Sequence, residues 1–169
     1  MKRAFILLFL FLMATACQKN SYKTYSNKYS VLFSCNLQDA PFNQISSQGR
    51  FISVRKTGNT LKTVDSDGNT NTIELAANQN YLLGLAGLIL GTPTFNNDDM
   101  SIWAYDLGCP VCENSMTRLT FDVKGEATCS KCGGAWNLNA SGFPLNQEGS
   151  RPLFRYPVLR SGNTITVSN

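Results

Sequence analysis

The chain has 169 residues, 15 lysines and arginines against 11 aspartates and glutamates, and no histidine. A formal charge of +4 is too weak to argue for nucleic acid or for an acidic membrane patch as a partner. Without histidine the commonest general base near neutral pH is missing, which argues against an enzyme.

The chain opens "MKRAFILLFLFLMATACQKN". Lys2 and Arg3 make a basic start, Ala4 to Met13 an apolar run of ten residues, and Ala14-Thr15-Ala16 a small-residue cleavage site. The run is too short to cross a bilayer, which takes about 20 apolar residues. Cys17, directly after the small residues, resembles the lipobox of bacterial lipoproteins. The resemblance implies that residues 1–16 are a signal peptide and that Cys17 becomes the first residue, with lipid on its sulfur and its new amino group. The expected place is then the bacterial envelope, anchored in a lipid membrane, with the outer membrane facing the periplasm as the default because no acidic cluster follows Cys17. Loss of Lys2 and Arg3 leaves a charge of +2. Residues 17–28 read as anchor and polar tether, and residues 29–169 as one domain with a single core.

"YSVLFSCNLQ" places Tyr29, Val31, Phe33, Cys35 and Leu37 on one face at period two, the pattern of a strand in which Cys35 packs as a small apolar side chain. In "DAPFNQI", Asp39 can cap and Pro41 can start a single helical turn. "GRFISVRKTG" is a second strand, and "NTLKTVDSDGNTNTIEL" reads as a hairpin turning near Asp67-Gly68. The acidic residues at Asp65–Asp67 and in Asn96–Asp99 read as solvated turns rather than acid/base pairs. "NYLLGLAGLILGTPTF" predicts a glycine-rich approach to a buried strand around Leu88 to Leu90. In "MSIWAYDL", Ile102, Ala104 and Asp106 alternate with Trp103 and Tyr105, and this strand delivers the chain to Cys109. Further short strands are expected around Trp136–Leu138, Leu153 to Leu159 and Thr164 to Val167, between turns at 139–142, 147–150 and 161–163. Many short strands punctuated by turns predict an all-β domain of sandwich or small-barrel type.

Cys109-x-x-Cys112 and Cys129-x-x-Cys132, sixteen residues apart, make a metal-ligand pattern. Each short pair turns tightly enough to point both sulfurs into one pocket, and a hairpin between them returns the second pair opposite the first. "RLTFDV" and "EATC" can form that hairpin across Lys124-Gly125. Gly133 and Gly134 leave backbone amides that can turn towards the thiolates. The alternatives are two structural disulfides, which an oxidising envelope permits, and thiol–disulfide chemistry at a Cys-x-x-Cys pair.

"AYDLGCPVC … CSKCGGAWNLNASGFPL … RPLFRYPV … GNTITV" resembles the Rieske iron–sulfur domain, in particular the lipid-anchored Rieske-like proteins of gut Bacteroidetes. Cys129 falls on the cysteine of that family's second cluster loop, Cys132 on its histidine, Gly133 on its glycine and Trp136 on its aromatic residue. The likeness is good over about residues 80–169 and in outline over 29–79. It implies a Rieske-like β-sandwich base carrying a small zinc-ribbon or rubredoxin-like metal-binding subdomain over about residues 105–145. This chain departs where the family holds its cluster: both histidines are absent, Cys112 lies one residue too far along, and Gly134 replaces a serine. A Rieske cluster has two histidines on one iron, so four cysteines cannot make one.

Four thiolates can hold zinc, a single iron or a 2Fe–2S cluster. The signal lacks a twin-arginine pair, so the chain is expected to cross the membrane unfolded and meet its metal afterwards, which favours a plain ion, zinc above all. Three functions follow: a non-enzymatic lipoprotein whose metal site steadies a scaffold or subunit for an envelope protein partner; a low-potential electron carrier with an all-cysteine iron centre; or a thiol–disulfide protein. Met116, Phe143, Pro144 and Phe154 are expected near the tip, where they would cover the site and keep water off the sulfurs.

Overall fold

The computed structural model describes residues 25–95 and 101–169. The signal segment, Cys17 and the turn at Asn96–Asp99 lie outside them. The regular elements of the described chain are all strands, apart from two 3₁₀ turns. In order it forms β1 (Val31–Asn36), a 3₁₀ turn (Phe42–Ser46), β2 (Arg50–Thr57), β3 (Thr60–Asp65), β4 (Thr70–Glu74), β5 (Leu82–Leu83), β6 (Leu88–Thr92) and β7 (Trp103–Asp106). Then follow β8 (Thr120–Phe121), β9 (Glu126–Thr128), β10 (Ala135–Asn137), a second 3₁₀ turn (Leu138–Ala140), β11 (Phe143–Pro144), β12 (Arg155–Tyr156), β13 (Val158–Ser161) and β14 (Thr164–Ser168).

These strands make three antiparallel sheets, ordered β12-β7-β6-β2-β3-β4, β13-β14-β1-β5 and β11-β10-β9-β8. The six-stranded sheet is the middle layer. Successive strand residues point to opposite faces, and here both faces are buried. Ile52, Val54, Leu88, Leu90 and Ala104 enter one core with Val31, Phe33, Ile165 and Val167 of the second sheet. Phe51, Ile89 and Tyr105, the alternate residues of the same strands, enter the other core with Cys109, Cys129, Trp136 and Leu138. All five residues of β6 are buried for this reason, and in "MSIWAYDL" the expected alternation holds, with Ile102 and Ala104 in the first core and Trp103 and Tyr105 at the second. The all-β class, the sandwich base and the small four-cysteine ribbon expected from the sequence are thus present.

Cys35 lies in the first core, where burial, with the nearby Asp39 charge adding to it, pushes its thiol up to about 12. It is a packing side chain. Asp39, by contrast, does not cap the first 3₁₀ turn. No side-chain cap bond forms there, and its backbone carbonyl accepts from Asn43 N at 3.0 Å instead.

The β3–β4 hairpin turns where expected, with Gly68 at φ +86°. Its turn is organised by Asp65, which accepts from the amides of Asp67 (3.0 Å) and Asn69 (2.8 Å) and from Asn69 Nδ2 (3.0 Å). Burial works to raise the Asp65 carboxyl, but the Asn69 and Asp67 donors outweigh it and hold it below the usual 3.8. A depressed folded value means that the contribution is present above the ordinary aspartate range and lost as pH falls through the folded value. The NMR shift of the Asn69 amide is expected to titrate below pH 3.8 in the wild type and to stay flat in Asp65→Asn.

The last residues of the expected tether are packed on the domain. Ser26 N donates to Arg155 O at 2.7 Å, Asn169 Nδ2 donates to Ser26 O at 3.1 Å, and the Tyr25 ring lies 5.4 Å from the Arg155 guanidinium.

Candidate metal centre

The two Cys-x-x-Cys segments fold as the same five-residue turn. In the first, Glu113 N donates to Cys109 O at 2.9 Å; in the second, Gly133 N donates to Cys129 O at 2.9 Å. The fifth residue of each turn is in the left-handed region, Glu113 at φ +46° and Gly133 at φ +75°. Glycine adopts that conformation freely, whereas glutamate does so at a cost. Glu113 is held there through its carboxylate, which pairs with Lys28 of the N-terminal segment and with Arg151 at 2.6 Å.

The turns also aim amides at sulfur. Val111 and Cys112 donate to Cys109, with Cys112 N 3.4 Å from the sulfur, and Lys131 and Cys132 donate to Cys129. These four amides, rather than those of Gly133 and Gly134, share the thiolate charge. The Gly133 amide is taken up by the Cys129 carbonyl, and the Gly134 carbonyl accepts from Cys129 N at 2.9 Å. Gly134 is needed for close approach instead, since a Cβ there would stand 2.5 Å from the Trp136 ring.

Between the turns runs the expected hairpin, β8 and β9, with Gly125 at φ +76°. Asn139 ties its tip down by donating to Lys124 O at 2.8 Å. Leu138 N donates to Gly125 O at 2.8 Å, and Tyr105 Oη to Leu138 O at 2.9 Å, which joins the ribbon to the middle sheet.

The approach to Cys109 depends on a group that the sequence did not single out. The carboxylate of Asp106, fully buried, accepts from Gly108 N (2.6 Å), Leu85 N (2.7 Å), Ala86 N (3.3 Å) and Tyr156 Oη (2.7 Å). It ties the 84–87 loop, β12 at the edge of the middle sheet and the start of the first cysteine turn to one point. Burial nevertheless wins over these donors and pushes its carboxyl up. Glycines at 84 and 108 were the available signal, because a Cβ at either would strike the carboxylate, at 2.3 and 2.9 Å.

All four sulfurs lie within 4.8 Å of one another. Cys109 Sγ is 3.6 Å from Cys132 Sγ, and Cys112 Sγ is 3.9 Å from Cys129 Sγ. A tetrahedron built on metal–sulfur distances of about 2.3 Å has edges of about 3.8 Å. These two edges straddle that value, and they are far longer than a disulfide bond of about 2.05 Å. A two-iron cluster places two irons and two bridging sulfides between its sulfur pairs, and so needs a wider set. The donor set therefore fits one tetrahedral ion.

Cys109 and Cys129 are buried, while Cys112 and Cys132 reach the surface in part. Burial pushes the Cys109 and Cys112 thiols up. At Cys129 burial acts the same way, but the amides of Cys132 and Lys131 and the neighbouring thiols overcome it and bring the thiol down. A bound cation would have to draw the protons off Cys109 and Cys112 against that burial.

The expected cover of the sulfurs is placed differently. Met116 and Phe143 are exposed at 76% and 52%, and Phe154 packs on the sandwich core with its ring 5.4 Å from Tyr29. Pro144 pairs with Trp136 in the ribbon sheet. Leu107, Leu119, Ala127, Trp136, Leu138 and Leu153 surround the cysteines instead. Only Ala127 and Trp136 of these lie in strands, each of three residues, so there was little periodicity to read.

No family model matches the chain, and no curated protein sequence matches it. Among solved structures, the ferredoxin of carbazole 1,9a-dioxygenase from Nocardioides aromaticivorans IC177 is similar at 20% identity and a TM-score of 0.33, over 49% of this chain and 75% of that one. The fold class stands on the three sheets, and the metal-binding capacity on the four sulfurs.

Proposed function

We propose that this chain is a non-enzymatic, lipid-anchored envelope protein of Rieske-like type, in which four cysteines hold one structural zinc ion. The ion would steady a scaffold or subunit for an envelope protein partner. The observation that carries the reading is the pair of matching cysteine turns, whose sulfurs lie 3.6 to 3.9 Å apart across them and all within 4.8 Å. Zinc suits a closed tetrahedral thiolate site and can stabilise a small subdomain by ~10 kcal/mol or more. The lipobox-like Cys17 supports the anchor.

A second reading is a low-potential electron carrier with a single iron on the same thiolates. It is favoured by the partial exposure of Cys112 and Cys132, which would bring the centre near a docking partner. Elemental analysis and an absorption spectrum of protein purified from its native envelope separate the two. One zinc per chain and no visible colour is the expected result. One iron with strong visible absorption would establish the carrier. Two irons with sulfide, or no metal with the four thiols oxidised in pairs, would overturn the single-ion reading.

A further inference from the structure

The sandwich base has a cavity on which the metal site makes no call. It has a volume of about 340 Å³ and opens between β1 on one side and β3 and β4 on the other. Its walls are Phe33, Phe42, Leu61, Ile73, Leu75 and Tyr81. A space of this size falls in the range of small-molecule sites. Phe33 is the centre of the wall, with its ring 5.0 Å from that of Tyr81 and 5.9 Å from that of Phe42.

The polar residues at the mouth narrow the chemistry. Asn36 Oδ1 already accepts from Gln38 N at 3.0 Å, and Gln79 Oε1 from Ala76 N at 3.1 Å. Among the described residues, Asp39 is the only charged one that lines the space, and no lysine or arginine does. Among the described residues its carboxylate has no ion pair. Asp39 and Cys35 both line the space. The thiol, pushed up to about 12 chiefly by burial, stays neutral and unreactive, which leaves noncovalent binding.

An apolar, aromatic wall with one uncompensated carboxylate at its mouth is complementary to a cation with an apolar body. We propose that this cavity binds a small amine, with its ring or short alkyl chain seated against Phe33 and Tyr81 and its ammonium group at Asp39. The proposal does not depend on which metal the cysteines hold.

The test uses the full, metal-loaded protein and three probes of one shape: benzylamine, benzyl alcohol and benzoate, titrated by calorimetry and followed by NMR shifts at Phe33 and Tyr81. Benzylamine is expected to bind saturably, with the alcohol about tenfold weaker and benzoate weaker still. Asp39→Asn, at an exposed position, should bring benzylamine to the affinity of the alcohol and leave the alcohol unchanged. Leu75→Trp should fill the space and abolish binding of all three. The proposal is overturned if no probe binds saturably, if benzoate binds as well as benzylamine, or if Asp39→Asn keeps the preference for the amine.

Discussion

Cys109→Ser is expected to strip the ion and to melt the ribbon while leaving the sandwich folded. The four ribbon strands are two or three residues long, and sheets of that size have no independent stability in water. They pack on Phe51, Ile89 and Tyr105 of the middle sheet, and a bound ion would hold their other end. Serine cannot supply the missing thiolate and leaves three charged or buried sulfurs around an incomplete site. The other core, between the middle sheet and β1 and β14, contains no ribbon residue. Amide hydrogen exchange should therefore show two regimes. Protection of the Leu119, Cys129 and Leu138 amides, all hydrogen-bonded in the ribbon, should fall by about a thousandfold or more, which corresponds to ~4 kcal/mol. Amides of β1, β2, β3 and β14 should keep theirs. A strong chelator on the wild-type protein should reproduce the pattern. Uniform loss of protection would mean that the ribbon and the sandwich fold as one unit and that the metal supports the whole chain.

The parts of this design that were legible in the sequence are those with local causes. Period-two burial marks β1 because only one face of its sheet meets a core, and Gly68 and Gly125 mark turns that need positive φ. The cysteine spacing marks the site because two tight turns and a hairpin suffice to close it. What was hidden depends on long-range contact. Asp106 looks like an ordinary strand residue until residues 84–86, 108 and 156 converge on it. The amides of Val111 and Lys131 face sulfur only because the turns close on the carbonyls of Cys109 and Cys129. Two-residue strands such as β5 and β11 are too short to carry a pattern and exist because a neighbouring strand offers free backbone groups.

Trp136→Ala is expected to cost about 3–5 kcal/mol and to raise the rate of metal loss, although Trp136 touches no metal ligand through its backbone pairs. The side chain has no exposed surface. Its ring underlies Gly134, two residues after Cys132, and its Nε1–H donates to Arg151 O at 2.8 Å. Arg151 in turn pairs with Glu113 at the end of the first cysteine turn. The indole thus props the second turn directly and the first through the 149–151 loop. Removing it leaves a cavity beneath both, in the core that the ribbon shares with the middle sheet. Trp136→Phe is expected to be milder: it keeps a ring in the core but loses the hydrogen bond, at about 1 kcal/mol, together with the outer benzo carbons that lie under Gly134. Thermal unfolding followed with a chromogenic chelator that reports metal release measures both quantities in one experiment. If Trp136→Ala lowered stability by the expected amount and left the metal off-rate at the wild-type value, the indole would be a packing residue of the middle sheet alone, and the cysteine turns would hold their shape without it.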